Sequence, residues 1–190
     1  MYLNRIWKRI KRFFSPRRNQ HKEVLSPTQY ARSLGVHIGE DNFIADNKCW
    51  STEPFLISVG NHCQIADGVR FLTHGGGQVL RDRIPSFDTF GKIVIGNWVY
   101  IGTNSLIMPG VTIEDNVLVA AGSVVTKSIP ARVVCGGNPA RIICSIEEYE
   151  QHNTVYDLGT KGMSRKDKES ALKLLDDSRF VKKAFLKAIK

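Results

Sequence analysis

From Ile95 onward the chain places an aliphatic residue at every sixth position, through Ile101, Ile107, Ile113, Val119 and Val125. Four places after each of these comes a second small or aliphatic series: Val99, Ser105, Val111, Val117, Ser123 and Ile129. An amphipathic helix repeats its apolar positions near 3.6 residues and a half-buried strand at two, so an unbroken six fits neither. It predicts short strands joined by turns and stacked as an all-β solenoid, three hexads closing one triangular coil. The same phase runs upstream through Val59, Ile65 and Phe71, and a shifted phase appears at Ile38 and Ile44. Together these predict about five coils, a prism on the order of 25 Å tall at the strand spacing of about 4.8 Å per coil.

Two stretches break the register. One is Asn47 to Ile57, where the phase shifts, and the other is Gly75 to Lys92, which carries Gly75-Gly76-Gly77, Arg81, Asp82, Arg83 and Pro85. The second is eighteen residues long, enough for a whole coil, but its hexads lack the small inward residues. It is read as a loop projecting from the prism, a partial coil being the alternative. Beyond Ser164, Ala171, Leu172, Leu175, Val181, Phe185, Ala188 and Ile189 recur at helical intervals. They predict a C-terminal helix or helical pair whose apolar stripe packs on the open end of the prism or on a partner subunit.

At the other end Leu3, Ile6, Trp7, Ile10, Phe13 and Phe14 alternate at helical spacing with Arg5, Lys8, Arg9, Lys11 and Arg12. Such a segment suits the surface of an anionic bilayer, and equally a face packed on its own domain or on a neighbouring subunit. The expected organisation is a basic amphipathic segment and linker over residues 1–24, a β-helix domain over 25–160 and a helical extension over 161–190.

Charge sharpens this division. The chain of 190 residues carries a net +9, with seven Lys or Arg and no acid in residues 1–18, and ten basic against four acidic residues in 161–190. The body between them is left at −4, so the folded part offers no basic groove and argues against nucleic-acid binding. No apolar run approaches the eighteen or more residues of a membrane span, and the charged start does not read as a secretory signal. The expected location is cytoplasmic, with peripheral membrane contact through residues 2–14. Cys49, Cys63, Cys135 and Cys144 match neither a CxxC redox pair nor a zinc-finger spacing and read as free thiols.

The hexads, followed by Ala121-Gly122-Ser123-Val124-Val125-Thr126-Lys127 and then Gly137-Asn138-Pro139-Ala140-Arg141, resemble the hexapeptide-repeat acyltransferases over about residues 34–146. The likeness in style is to sugar O-acetyltransferases of the maltose and galactoside type and to capsule and lipopolysaccharide O-acetyltransferases. The resemblance implies a left-handed parallel β-helix, although crossover rules alone favour the opposite hand. It implies a homotrimer with acetyl-CoA held in a groove between subunits, and direct transfer of the acetyl group to a carbohydrate hydroxyl without a metal.

A sugar hydroxyl is a poor nucleophile at neutral pH, so a base must take its proton during attack, and His suits this. His74, in Phe71-Leu72-Thr73-His74, matches the family's catalytic His. His62 is the rival at the same place in its own hexad, but the two are twelve residues apart and fall on different faces of the prism. Glu53 lies 21 residues before His74, one coil plus three, and is a candidate to orient the imidazole or hold the acceptor; Asp82 and Asp88 are the other candidates. The resemblance carries acetyl-CoA contacts to Tyr100, Thr103, Ala121, Thr126, Lys127 and Arg141, with Cys144 where the family has a second arginine. Lys and Arg at the nucleotide end suit the phosphates of CoA.

Only His37, His62 and His74 lie in the coils, and their spacing does not repeat the three-His pattern of a γ-type carbonic anhydrase on the same prism. N-acetylation of an amino sugar, xenobiotic acetylation and a non-enzymatic trimeric scaffold stay open as alternatives.

Overall fold

The computed structural model describes residues 25–185, so the expectations placed on residues 1–24, including the amphipathic segment, and on Ala188 and Ile189 lie outside the described residues. Among the described residues thirteen short strands form three sheets. The first sheet stacks β1 (His37–Ile38), β3 (Ile57–Val59), β6 (Ile93–Ile95) and β9 (Thr112–Ile113). The second stacks β2 (Phe43–Ile44), β4 (Gln64–Ile65), β7 (Tyr100–Ile101), β10 (Leu118–Val119) and β12 (Val133–Gly136), and ends on β13 (Arg141–Ser145). The third holds β5 (Arg70–Phe71), β8 (Leu106–Ile107) and β11 (Val124–Val125).

Every pairing is parallel except β12 with β13. From β3 to β11 successive strands visit the three sheets in turn, which is how a chain winds into a prism. The hexad series points inward: Ile65, Ile101, Ile107, Ile113, Val119 and Val125 are fully buried, and Val99, Val111 and Val117 fill the space beside them. The inward hydroxyls of Ser105 and Ser123 do not go unpaired, since both donate to the Ala120 carbonyl. The thiols of Cys49, Cys63 and Cys135 are buried and free, and Cys144 is partly buried.

The spacing of paired residues shows where the chain departs from the hexad. Val94 pairs with Thr112, Tyr100 with Leu118 and Leu106 with Val124, each 18 apart. Ile57 pairs with Ile93, Gln64 with Tyr100 and Arg70 with Leu106, each 36 apart. The eighteen-residue insert therefore supplies no rung and leaves the stack as a loop. Its base is closed by an antiparallel bridge between His74 and Phe90 and by the Gly91 N–H, which donates to the Thr73 carbonyl at 2.8 Å. Lower down, His37 pairs with Ser58 and Phe43 with Gln64, 21 apart. The three extra residues are taken up by a 3₁₀ turn at Pro54–Leu56.

At the lower end α1 (Pro27–Ser33) starts on a Ser26/Gln29 capping box with Pro27 in its first turn, and buries Ala31 in the core. At the upper end α2 (Ile146–Asn153) starts on a second capping box, Ser145 with Glu148, and Glu147 pairs with Arg132. The C-terminal segment differs from the expectation. Helix α3 (Arg165–Lys173) stops well before Val181, the Asp176 carboxylate accepts from the Ser178 N–H to open a 3₁₀ turn at Asp177–Arg179, and Val181 and Phe185 are exposed in irregular chain. Side-chain capping by Asp176 overrides the helical periodicity there. No residue of α3 is fully buried, and Ala171 and Leu172 on its apolar stripe are half-buried.

Truncation of a fully buried rung residue and removal of the loop should differ sharply in cost. Ile107→Ala should cost about 2–5 kcal/mol of unfolding free energy. Replacing residues 75–90 with a short glycine linker should leave the denaturation midpoint close to that of the parent, because the rungs on either side pair without it. Denaturant unfolding checks both.

Candidate active site

His74 sits where the chain leaves the third sheet, three residues after β5 and at the root of the projecting loop. The offset of 21 that pairs His37 with Ser58 continues to this corner and sets Glu53 beside His74, with Ser51 and Glu53 both against Thr73. Glu53 Oε2 lies 2.7 Å from His74 Nδ1. A carboxylate can only accept, so the ring donates from Nδ1–H, and in the neutral imidazole the lone pair is then on Nε2. The Phe90 ring, on the returning arm of the loop, lies tilted against the imidazole with centroids 5.8 Å apart.

Glu53 is heavily hydrogen-bonded for a surface-connected carboxylate. Thr73 Oγ1 donates to Oε2 at 2.6 Å and Thr52 Oγ1 donates to Oε1 at 2.7 Å. Thr73 Oγ1 is also 2.7 Å from Ser51 Oγ. The Thr73 hydroxyl first, then that of Thr52, and more weakly His74, bring the carboxyl pKa down from its ordinary 4.5 to about 2. Glu53 is thus an anion across the whole neutral range, held against an imidazole whose side chain is 42% exposed and so open to a second molecule. The pair can take a proton at Nε2 and stabilise the resulting imidazolium.

Of the other carboxylates, Asp82 lies 3.8 Å from Arg83 and Asp88 lies 3.7 Å from Arg81, both in the loop. Glu53 is the one that meets the ring. The hydroxyls of Ser51, Thr52 and Thr73 are absent from the sequence reading. Their signal was the shared offset: if Glu53 lies under His74, then the residues just before Glu53 lie near Thr73.

The remaining candidates fall in three places. Thr103 and Ala121 share the corner between the second and third sheets, where the Thr103 carbonyl accepts from the Gly122 N–H at 2.8 Å. This corner needs glycine at 102, since a Cβ there would stand 2.5 Å from the Ala121 nitrogen. Thr126 and Lys127 are exposed at the corner after β11, on the same edge as His74 and roughly 10 Å along the axis, two strand spacings. Tyr100 stands half-exposed on the second sheet, and Arg141 is exposed at the start of β13 with Cys144 on the same strand. Within one chain, His74 and Thr103 are on opposite edges of the third sheet.

His62 is at the corner between the first and second sheets, away from His74. Its ring stacks on Trp98 with centroids 4.3 Å apart, and its Nδ1 is 3.5 Å from Asp41. The two border a groove of about 390 Å³ that Tyr100 and Lys161 also line. Among the described residues no group of three or more His, Cys, Asp or Glu side chains is arranged to hold a metal ion. Among them, too, no helix is long and apolar enough to cross a membrane.

A triangular solenoid with an imidazole–carboxylate pair at one edge defines a class, and comparison with known proteins places the chain within it. The bacterial transferase hexapeptide (six repeats) family matches residues 92–127. The chain is 53% identical over 122 residues to Protein CapG of Staphylococcus aureus, a match covering 63% of this chain and 71% of that protein. It is 35% identical over 130 residues to galactoside O-acetyltransferase of Escherichia coli K12, covering 68% and 63%. It is 31% identical over 129 residues to the putative colanic acid biosynthesis acetyltransferase WcaF of the same organism, covering 59% and 70%. Among solved structures, a hexapeptide-repeat acetyltransferase from Vibrio cholerae aligns with a TM-score of 0.55 at 26% identity, covering 66% of this chain and 83% of that one. The chain belongs to the hexapeptide-repeat acetyltransferases and is an enzyme of the acyltransferase class. Its solenoid is accordingly a left-handed β-helix.

The depressed pKa of Glu53 has a measurable sign. A carboxyl at about 2 in the folded chain, against an ordinary 4.5, contributes stability that is fully present above about pH 4.5 and is lost as pH falls towards 2. Glu53→Gln removes that proton uptake. Unfolding followed across pH 2 to 7 should show the parent losing stability more steeply than the variant below about pH 4.5.

Proposed function

We propose that this chain is an acetyl-CoA-dependent O-acetyltransferase acting on a hydroxyl of a sugar or cell-surface polysaccharide precursor. The observation that carries the reading is the 2.7 Å contact between His74 Nδ1 and Glu53, which leaves Nε2 as a base at an exposed edge. The names of two relatives, a galactoside O-acetyltransferase and a colanic acid biosynthesis acetyltransferase, support a carbohydrate acceptor.

In this mechanism acetyl-CoA supplies the activated thioester. His74 Nε2 takes the proton of the acceptor hydroxyl as its oxygen attacks the thioester carbonyl, and the imidazolium then returns a proton to the departing thiolate sulfur. Glu53 stays ionised throughout and steadies the imidazolium. Backbone N–H groups near Gly102 and Thr103 are the candidates for holding the oxyanion. Thr103, Ala121 and Tyr100 would line the pantetheine arm, and Thr126, Lys127 and Arg141 would meet the nucleotide and its phosphates.

The split of these residues between two edges supports a trimer. An edge carrying His74 on one subunit would face the edge carrying Thr103 and Ala121 on the next, so three sites close around a threefold axis. The same proposal includes the count of about five coils, the division at residues 24 and 160, and a cytoplasmic enzyme that meets the membrane through residues 2–14. N-acetylation of an amino sugar and acetylation of a xenobiotic are tested by the same assay.

The deciding experiment is thiol release from acetyl-CoA across a panel of sugars, glycolipids, amino sugars and antibiotics. His74→Ala should lower acceptor-dependent turnover by about 10²–10⁴-fold, the usual contribution of a general base. Retention of acetyl-CoA affinity in that variant is expected; equal turnover by both proteins would remove His74 as the base. Deleting residues 2–14 should release the chain from anionic liposomes and spare thiol release with a soluble acceptor, and unchanged liposome binding would end the membrane reading.

A further inference from the structure

The general-base reading gives Thr73 no part in the transfer itself. Thr73 is fully buried, and its backbone is held on both sides: its N–H donates to Ser51 Oγ at 3.4 Å, and its carbonyl accepts from the Gly91 N–H at 2.8 Å. A β-branched side chain on so fixed a backbone has little freedom at χ1. Its single hydroxyl proton goes to Glu53 Oε2, at a separation of 2.6 Å in the range of a charge-assisted O–H···O⁻ bond. Ser51 Oγ, 2.7 Å away, is placed to donate to Thr73 in turn.

We propose that Thr73 is a positioning residue for the base: it pins Glu53 Oε2 against His74 Nδ1 and so fixes the imidazole tautomer whose Nε2 carries the lone pair. The same carboxylate oxygen serves both groups. Thr52 occupies the other oxygen, Oε1, so the carboxylate is held at two points. The terminal torsion of a glutamate is broad and roughly two-fold, and nothing intrinsic to Glu53 selects one orientation. Without the Thr73 hydroxyl, Oε2 keeps only the ring as a partner and the carboxylate is free to turn with Thr52. The imidazole then loses the acceptor that distinguishes its two nitrogens, and the proton distributes between them.

This inference rests on the reading of His74 as the base, and its test separates the two. The full-length chain is labelled with ¹⁵N-histidine, and the His74 signals are assigned by difference from His74→Gln. In the neutral imidazole of the parent, Nδ1 should be protonated and Nε2 bare. Thr73→Val, which keeps the volume and removes the hydroxyl, should give a mixture of tautomers. It should also lower kcat by about 10- to 100-fold, the usual effect of removing a group that orients an imidazole. The KM for acetyl-CoA should stay within about twofold, and Thr73→Ser should restore both tautomer and kcat, since it keeps the donor. A residue that merely fills the corner would change stability and move neither the tautomer nor kcat.

The proposal is overturned if Thr73→Val keeps the parental tautomer and turnover, or if Thr73→Ser is as impaired as Thr73→Val. Should Thr73→Val fail to fold, Thr73→Ala carries the same readouts against Thr73→Ser. If His74→Ala retains parental turnover, the base reading falls, while the tautomer measurement still decides what Thr73 does.

Discussion

Parallel pairing between one turn of the chain and the next, at a fixed residue offset, is the constraint on which the rest of this structure depends. Two-residue strands make few hydrogen bonds each, so no rung is stable alone; its backbone groups are satisfied only by the rungs above and below. The offset is therefore enforced cooperatively along three sheets. Wherever it changes, the chain must absorb the difference at a corner. It does so twice around His74, by a three-residue turn at Pro54–Leu56 and by the loop that begins at His74 itself.

Those two departures build the site. An offset of 18 would place Leu56 beside His74, and the offset of 21 places Glu53 there. The carboxylate arrives together with Thr52 and meets Thr73, so a charge that would otherwise sit weakly solvated near an imidazole receives a donor on each oxygen. These bonds keep it ionised far below neutral pH. An anion that holds its proton affinity low orients the ring without competing for the proton that Nε2 would accept. The mechanism proposed here asks that of Glu53.

The corners also bear on the proposal that the site is completed by a second subunit. The third sheet separates His74 from Thr103 and Ala121 by a face of at most about 20 Å, the reach of six residues at full extension. A prism is convex, and a convex surface cannot fold its own two edges around one small molecule. Concavity between edges comes from apposing two prisms, which is the physical argument for sites between subunits.

Most of the architecture was legible in the period of six, because inward positions of a solenoid recur with the coil and the hexad residues from Val59 to Ile129 are all buried. The pairing of Glu53 with His74 was legible as an offset, though not as a bond. The C-terminal helix was overread at Val181 and Phe185, since a side-chain cap at Asp176 outweighs spacing and leaves no trace in periodicity. The sequence by itself determined the coil, its inward residues and the candidate base, since burial in a stacked prism depends on position in the repeat. Only the tertiary structure decided which carboxylate meets the ring, that Ser51, Thr52 and Thr73 converge on it, and that the eighteen-residue insert leaves the stack. Those outcomes depend on how turns of unequal length are registered against one another, and register is a property of the stacked backbone.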